Sequence, residues 1–228
     1  MPWLSGSSEN EGSHEGLTPQ KPLQRAYQRD PEAIEKWRRE TFPNIARQAK
    51  AAGGEVYFWD ESGFRADAVH GKTWGAKGRT PVVERPGQRQ SISAASAVNA
   101  RGAFWYCTYQ GGLNAELFVT LLKKMMRRRI MPVHLVLDSL PAHKTALVNA
   151  YVASTNGRLT LHFLPGYAPE LNPDELAHMK RTGVARNPLR KGEKLNEKVE
   201  AQLADIRRTP HLVRSFFRAP DVAYITDC

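Results

Sequence analysis

Cysteine is almost absent. Cys107 and Cys228 are the only two in 228 residues, too few and too far apart for a disulfide framework, so a reducing, cytoplasmic setting is expected. No apolar run approaches the ~18 residues of a membrane span, which argues against a membrane partner. The opening residues, from Met1 to Glu11, offer neither the basic nor the apolar part of a secretory signal. The seven histidines and two cysteines show no ligand spacing for zinc. A Gly-rich phosphate loop of the Walker kind and a nucleophile elbow are both missing, which argues against nucleoside-triphosphate and serine-hydrolase chemistry. There is no internal repeat.

What is present describes a globular protein with one sizeable core and at most a small appendage: 41% apolar residues and five tryptophans. The net charge of +10 favours an anionic partner, nucleic acid ahead of a membrane surface.

Residues 1–16 are rich in Ser, Gly and Glu without periodicity and are expected to be disordered. Residues 17–53 have the pattern of a helical linker. Asp30-Pro31-Glu32 opens a helix with Ala33, Ile34 and Trp37 on one face, Thr41-Phe42-Pro43 breaks it, and a second stretch runs to Ala52. Strands are predicted at Glu55–Asp60, Ser91–Asn99, Ala103–Tyr109, His134–Leu137 and Leu159–Leu164, with a hairpin region from Gly63 to Thr80. Helices are predicted from Asn114 to about Ile130, from Ala142 to Ser154, from Asn172 onward, over Glu193–Arg208, and over Pro210–Phe217. Strands first and then strand–helix alternation give an α/β protein. Its mixed sheet combines an antiparallel meander with parallel strands, and helices flank it.

Three carboxylates stand where elements end. Val56-Tyr-Phe-Trp-Asp60 and His134-Leu-Val-Leu-Asp138 each run an apolar strand into an acid. Downstream, Leu159–Leu164 stops at Pro165-Gly166, and a helix start follows. There Asn172 fits the cap, Pro173 the first helical position, and Glu175 the third residue after the cap. Acids gathered at element ends are what a divalent-metal phosphoryl-transfer site needs, because magnesium takes oxygen ligands and retains water. Each has a plainer explanation: Asp60 as a strand end, Glu175 as half of a capping box. Asp138 is the hardest to explain without function. Glu61 competes with Asp60, and Asp174 with Glu175. His143 has three candidate roles, orienting a reactant, capping a helix, or packing in the core.

Asp60-Glu-Ser-Gly63, Leu137-Asp-Ser-Leu-Pro-Ala-His143 and Leu164-Pro-Gly-Tyr-Ala-Pro-Glu-Leu-Asn-Pro-Asp-Glu175 resemble the motifs of DDE transposases. The nearest branch is the bacterial insertion-sequence relatives of mariner elements. The likeness extends from about Leu17 to the C-terminus and includes Trp74-Gly-Ala-Lys-Gly-Arg-Thr-Pro81 and Ser215-Phe-Phe-Arg-Ala-Pro220. It implies a ribonuclease H-like catalytic domain with a five-stranded sheet over residues 54–185 and a basic helical tail over 186–228. It also implies Asp60, Asp138 and Glu175 as holders of two magnesium or manganese ions, and it chooses Glu175 over Asp174. The implied chemistry is cleavage at a transposon end, then attack of the freed 3′-hydroxyl on target DNA at a TA step. A homodimer in a synaptic complex, at the nucleoid, goes with it.

Lys180, Arg181, Arg186, Arg190 and Lys191 are expected to hold DNA phosphates, and the run from Lys123 to Arg129 is a second candidate. Two departures from the family pattern stand out. Only Gly16–Pro22 corresponds to the region that relatives place after helix-turn-helix domains, so an N-terminally truncated chain is expected. The segment after Glu175 lacks the usual Trp and is two residues short, which would turn the following helix by roughly 200°. The alternatives are a catalytically inactive DNA-binding remnant and another ribonuclease H-like nuclease, such as a junction resolvase.

Overall fold

In the computed structural model, residues 27–66, 77–78, 90–173, 176, 179 and 189–226 are described. The expectation of disorder over 1–16 and most of the predicted hairpin region lie outside them.

The centre is a five-stranded sheet in the order β3-β2-β1-β4-β5. β1 (Glu55–Arg65), β2 (Ser91–Val98) and β3 (Phe104–Tyr109) form the antiparallel meander, while β4 (Val133–Leu137) and β5 (Leu159–Phe163) join in parallel. β1 is the middle strand and is covered on both faces, which explains its unbroken Tyr57-Phe58-Trp59 run, buried throughout. Alternate residues serve two separate cores. Tyr57, Trp59, Leu135 and Leu137 face α3 (Ala115–Met126) and α4 (Ala146–Ser154). Phe58 and Val136 face the N-terminal helices α1 (Pro31–Lys36) and α2 (Phe42–Ala51), together with α5 (Leu195–Arg207) and α6 (Pro210–Phe216).

Helix starts follow the capping chemistry. The Asn114 side chain accepts from the Leu117 amide at 2.8 Å, and α3 then buries Phe118, Leu121, Leu122 and Met125 along one stripe. α5 does the same with Leu195, Val199, Leu203 and Ile206.

Several predicted boundaries are corrected. β1 does not end at Asp60: Glu61–Arg65 continue it because β2 pairs with them through Ala95–Ser91. Thr41-Phe42-Pro43 does not break the first helix. A π-helical segment, Trp37–Thr41, joins α1 to α2, and Pro43 sits in the first turn of α2, where its missing N–H leaves no helical bond unmade. α3 stops at Met126 rather than Ile130, since Arg127 leaves the helical region and Arg128 takes a positive φ of 62°. The helix predicted from Ala142 splits into a 3-10 turn, Pro141–Lys144, and α4, because Thr145 is extended and caps α4 through Val148. Residues 176 and 179 are helical, as the predicted start at Asn172 requires. Among the described residues no helix is long and apolar enough to cross a membrane.

Candidate functional site

Strand register brings the first two acids together. In the parallel pair Phe58 lies opposite Val136, and Asp60 and Asp138 each stand two residues beyond that pair. The two chains run in the same direction about 4.8 Å apart. β4 ends at Leu137, so Asp138 enters a loop while β1 continues beside it. Both acids thus occupy the carboxyl edge of the parallel strands, where open α/β sheets place their ligands. Glu61, one residue on, projects to the opposite side of β1 from Asp60.

That alternation sends Glu61 into a buried cluster. Its Oε1 accepts from Trp59 Nε1–H and lies 2.9 Å from His143 Nε2. The other ring nitrogen, Nδ1, lies 3.0 Å from Asp138 Oδ1 and 3.3 Å from the Asp138 carbonyl. His143 has no exposed surface, Glu61 exposes 12% of its side chain, and Asp138 exposes 54%. Phe118 packs on the imidazole with centroids 4.3 Å apart. Burial alone would lower the His143 pKa, but hydrogen bonds to Asp138 and Glu61 and their charges override it and push it up to about 9. The ring is therefore an imidazolium at neutral pH, donating from both nitrogens. Burial raises the Asp138 pKa, yet the His143 bond, the Leu140 amide at 3.2 Å and the charges of His143 and Lys144 together hold it below the usual range.

The roles open to His143 narrow accordingly. A fully buried ring between two carboxylates does not reach a phosphate; it links the strand that carries Asp60 to the loop that carries Asp138.

Sequence reasoning missed three neighbours. Trp59 anchors Glu61. Tyr109 comes across from β3; burial, then the charges of Glu61 and Asp60, push its phenol up to about 12. Asn172 Nδ2–H donates to the Trp59 carbonyl at 3.0 Å, so the loop after β5 docks on β1 one residue before Asp60. Tyr224 O–H donates to the Leu171 carbonyl at 2.7 Å and accepts from Trp37 Nε1–H, tying that loop to the N-terminal helices. None of these pairings has a local sequence signal, because each joins distant strands and loops.

The remaining predicted residues divide. Glu175, Asp174, Lys180, Arg181 and Arg186 lie outside the described residues. Arg190 and Lys191 are exposed. They precede α5, whose Leu195 amide donates to Gln90 beside the β1–β2 end, on the same edge as the acids. The Lys123–Arg129 run is not at that edge. Arg129 donates to Tyr57 Oη at 2.9 Å and pairs with Glu55 at the amino end of β1. Its neighbours Lys123 and Lys124 lie against Tyr151 and Cys107.

Comparison with known proteins agrees with this architecture. A family model described as DDE superfamily endonuclease matches residues 55–196. A second, described as winged helix-turn helix, matches residues 13–41, a longer stretch than the Gly16–Pro22 remnant expected. No curated protein matches the sequence.

Among solved structures, the Mos1 transposase paired-end complex with left transposon end aligns at a TM-score of 0.61 and 16% identity, covering 92% of this chain and 67% of that one. The mariner Mos1 paired-end complex with Mg gives 0.59 and 15%, with 92% and 67% covered. The catalytic domain of Mos1 mariner transposase gives 0.52 and 16%, with 91% and 97% covered. At such identity the likeness establishes the fold, the ribonuclease H-like mixed sheet expected.

Proposed function

Because the chain belongs to the DDE superfamily of endonucleases, we propose that it cuts DNA at a transposon end and transfers the freed 3′-hydroxyl into target DNA. Asp60, Asp138 and Glu175 would hold two magnesium or manganese ions. The observation that carries this reading is the shared register of Asp60 and Asp138 at the carboxyl edge of adjacent parallel strands.

The donor set fits hard divalent cations. Carboxylate oxygens are their preferred ligands, and the half-exposed Asp138 has both of its observed donors on Oδ1, which turns Oδ2 outward. The docking of Asn172 on β1 supports Glu175 as the third ligand, since it brings the chain to Asp60 three residues earlier. Bound ions would polarise the scissile phosphodiester and stabilise the leaving oxygen.

The protein's own groups position the parts. Asp60 is fixed by the β1–β2 ladder, and Asp138 by the Leu140 amide and His143. Tyr109, held neutral, adds no charge beside the acids. Arg190 and Lys191, with Lys180, Arg181 and Arg186, would neutralise backbone phosphates. The two Mos1 paired-end complexes, whose name describes two joined ends, support a homodimer on DNA, and a TA target belongs to the same reading.

The test is cleavage of duplex DNA carrying the element's ends, with magnesium or manganese, by the chain and by its Asp138→Ala variant. Metal-dependent nicking and strand transfer that disappear in Asp138→Ala are expected. Undiminished cleavage by the variant removes Asp138 from the mechanism, and salt-sensitive binding without nicking defines a non-catalytic remnant.

A further inference from the structure

We propose that His143, braced by Glu61, is a positioning residue that fixes the Asp138 carboxylate for an incoming ion, and that these three side chains are not an ion cage of their own. The inference rests on the reading of Asp138 as a metal ligand. Glu61, Asp138 and His143 do bring one ligand atom each within 4.8 Å of one another, so a cage is the competing explanation.

Two observations decide against it. The two nitrogens of an imidazole point away from each other, and here each faces a different carboxylate: Nε2 faces Glu61 at 2.9 Å and Nδ1 faces Asp138 at 3.0 Å. An ion taken up at Nε2 beside Glu61 would have the ring between itself and Asp138. Burial is the second. Magnesium and manganese favour oxygen ligands and keep several waters. The ring has no exposed surface and Glu61 exposes only 12% of its side chain, which leaves no path for a hydrated ion to reach them.

The same contacts form a continuous brace. Trp59 Nε1–H on β1 holds Glu61 Oε1, Glu61 holds one side of the ring, and the other side holds Asp138 Oδ1. Phe118 of α3 closes the ring's packing at 4.3 Å. Asp138 needs this support because it is the first residue past β4, where ladder bonds no longer restrain it. A carboxylate already turned toward the ion spares its rotamer ordering on binding, and partners behind a ligand typically matter by one to two orders of magnitude.

The test measures Mn2+ affinity of the full chain at one pH, by the electron paramagnetic resonance signal of the free ion. Circular-dichroism melts verify folding. Asp138→Ala should abolish the site. His143→Phe, which keeps the ring packing and removes both donors, should weaken Mn2+ binding roughly 10- to 100-fold, whereas Glu61→Gln, whose amide oxygen still accepts, should stay within about threefold. His143→Asn, with a donor left for Asp138, should recover part of the loss.

His143→Phe binding as tightly as the unaltered chain overturns the brace. So does Glu61→Gln losing as much as Asp138→Ala, because Glu61 would then be a ligand itself. If His143→Phe does not fold, Glu61→Leu answers the same question: weakened binding supports the brace, unchanged binding overturns it. Asp138→Ala binding Mn2+ normally sinks the metal-ligand reading and the brace together, whereas a loss confined to Asp138→Ala sinks the brace alone.

Discussion

At the scale of single residues, the chain carries two buried imidazole arrangements of opposite electrostatic sense. His143 lies between carboxylates and is held protonated. His134 of β4 and His162 of β5 lie against each other instead, stacked within 7° of parallel with Nδ1 and Nε2 3.0 Å apart. A contact between two ring nitrogens needs one donor and one acceptor, so it cannot survive double protonation. Burial, then the charge of His134, lowers His162 to about 4, and burial lowers His134. The sign follows from proton binding. Between the ordinary value of 6.5 and about 4 the unfolded chain takes up more protons than the folded one. Stability from this pair is therefore full above pH 6.5 and lost as pH falls toward 4. Urea unfolding from pH 7.5 to 4.5 should reveal a loss on the order of 1–2 kcal/mol after allowance for solvent screening. His162→Gln should flatten that slope. Asp138, held below 3.8, loses its contribution only at still lower pH and does not confuse the window.

At the scale of elements, the β1–β4 junction sets the geometry of the acids, and Gly54 controls that junction. The Glu55 amide donates to the Pro132 carbonyl at 2.9 Å, and a Cβ on residue 54 would stand 2.7 Å from the same oxygen. Gly54→Ala must push the strands apart where their pairing begins, so a loss of about 1–3 kcal/mol in denaturant unfolding is expected. A variant as stable as the parent would contradict the close approach. The N-terminal helices matter in a different way. Trp37, 4% exposed, faces the core from the π segment and donates to Tyr224, which donates in turn to the loop at Leu171. Trp37→Ala should cost about 3–5 kcal/mol. It should also lower nicking beyond what its population of unfolded chain explains, because the loop that carries Asn172 loses its tether. Stability-corrected activity equal to the parent's would show that the tether is dispensable.

At the scale of the whole molecule, the excess of ten positive charges is unevenly used. Arg129 is occupied at the amino end of β1 by Tyr57 and Glu55. Arg190 and Lys191 stay exposed at the end where the acids gather. DNA affinity measured against salt should therefore lose about two units of slope in the Arg190→Ala, Lys191→Ala double variant. Arg127→Ala, from the exposed end of the other run, should leave the slope unchanged. Equal effects from both would mean that the protein binds DNA through its net charge rather than through one edge.

The sequence by itself determined the elements, the mixed sheet and the family. Strands such as Val133–Leu137 are buried on both faces and hence apolar throughout, and the Asn114 and Asn172 positions carry the capping chemistry that starts helices. It also determined which acids to examine, since an aspartate closing an apolar strand has few neutral explanations. Its errors were local: β1 was ended at Asp60 because the pairing of Glu61–Arg65 with β2 depends on a partner some thirty residues away. Only the tertiary structure decided what surrounds those acids. The shared register of Asp60 and Asp138, the turning of Glu61 into the core and the bracing of Asp138 by His143 all arise between strands that meet by packing. Hydrogen-bond direction and burial are properties of that meeting, and no spacing along a single chain encodes them.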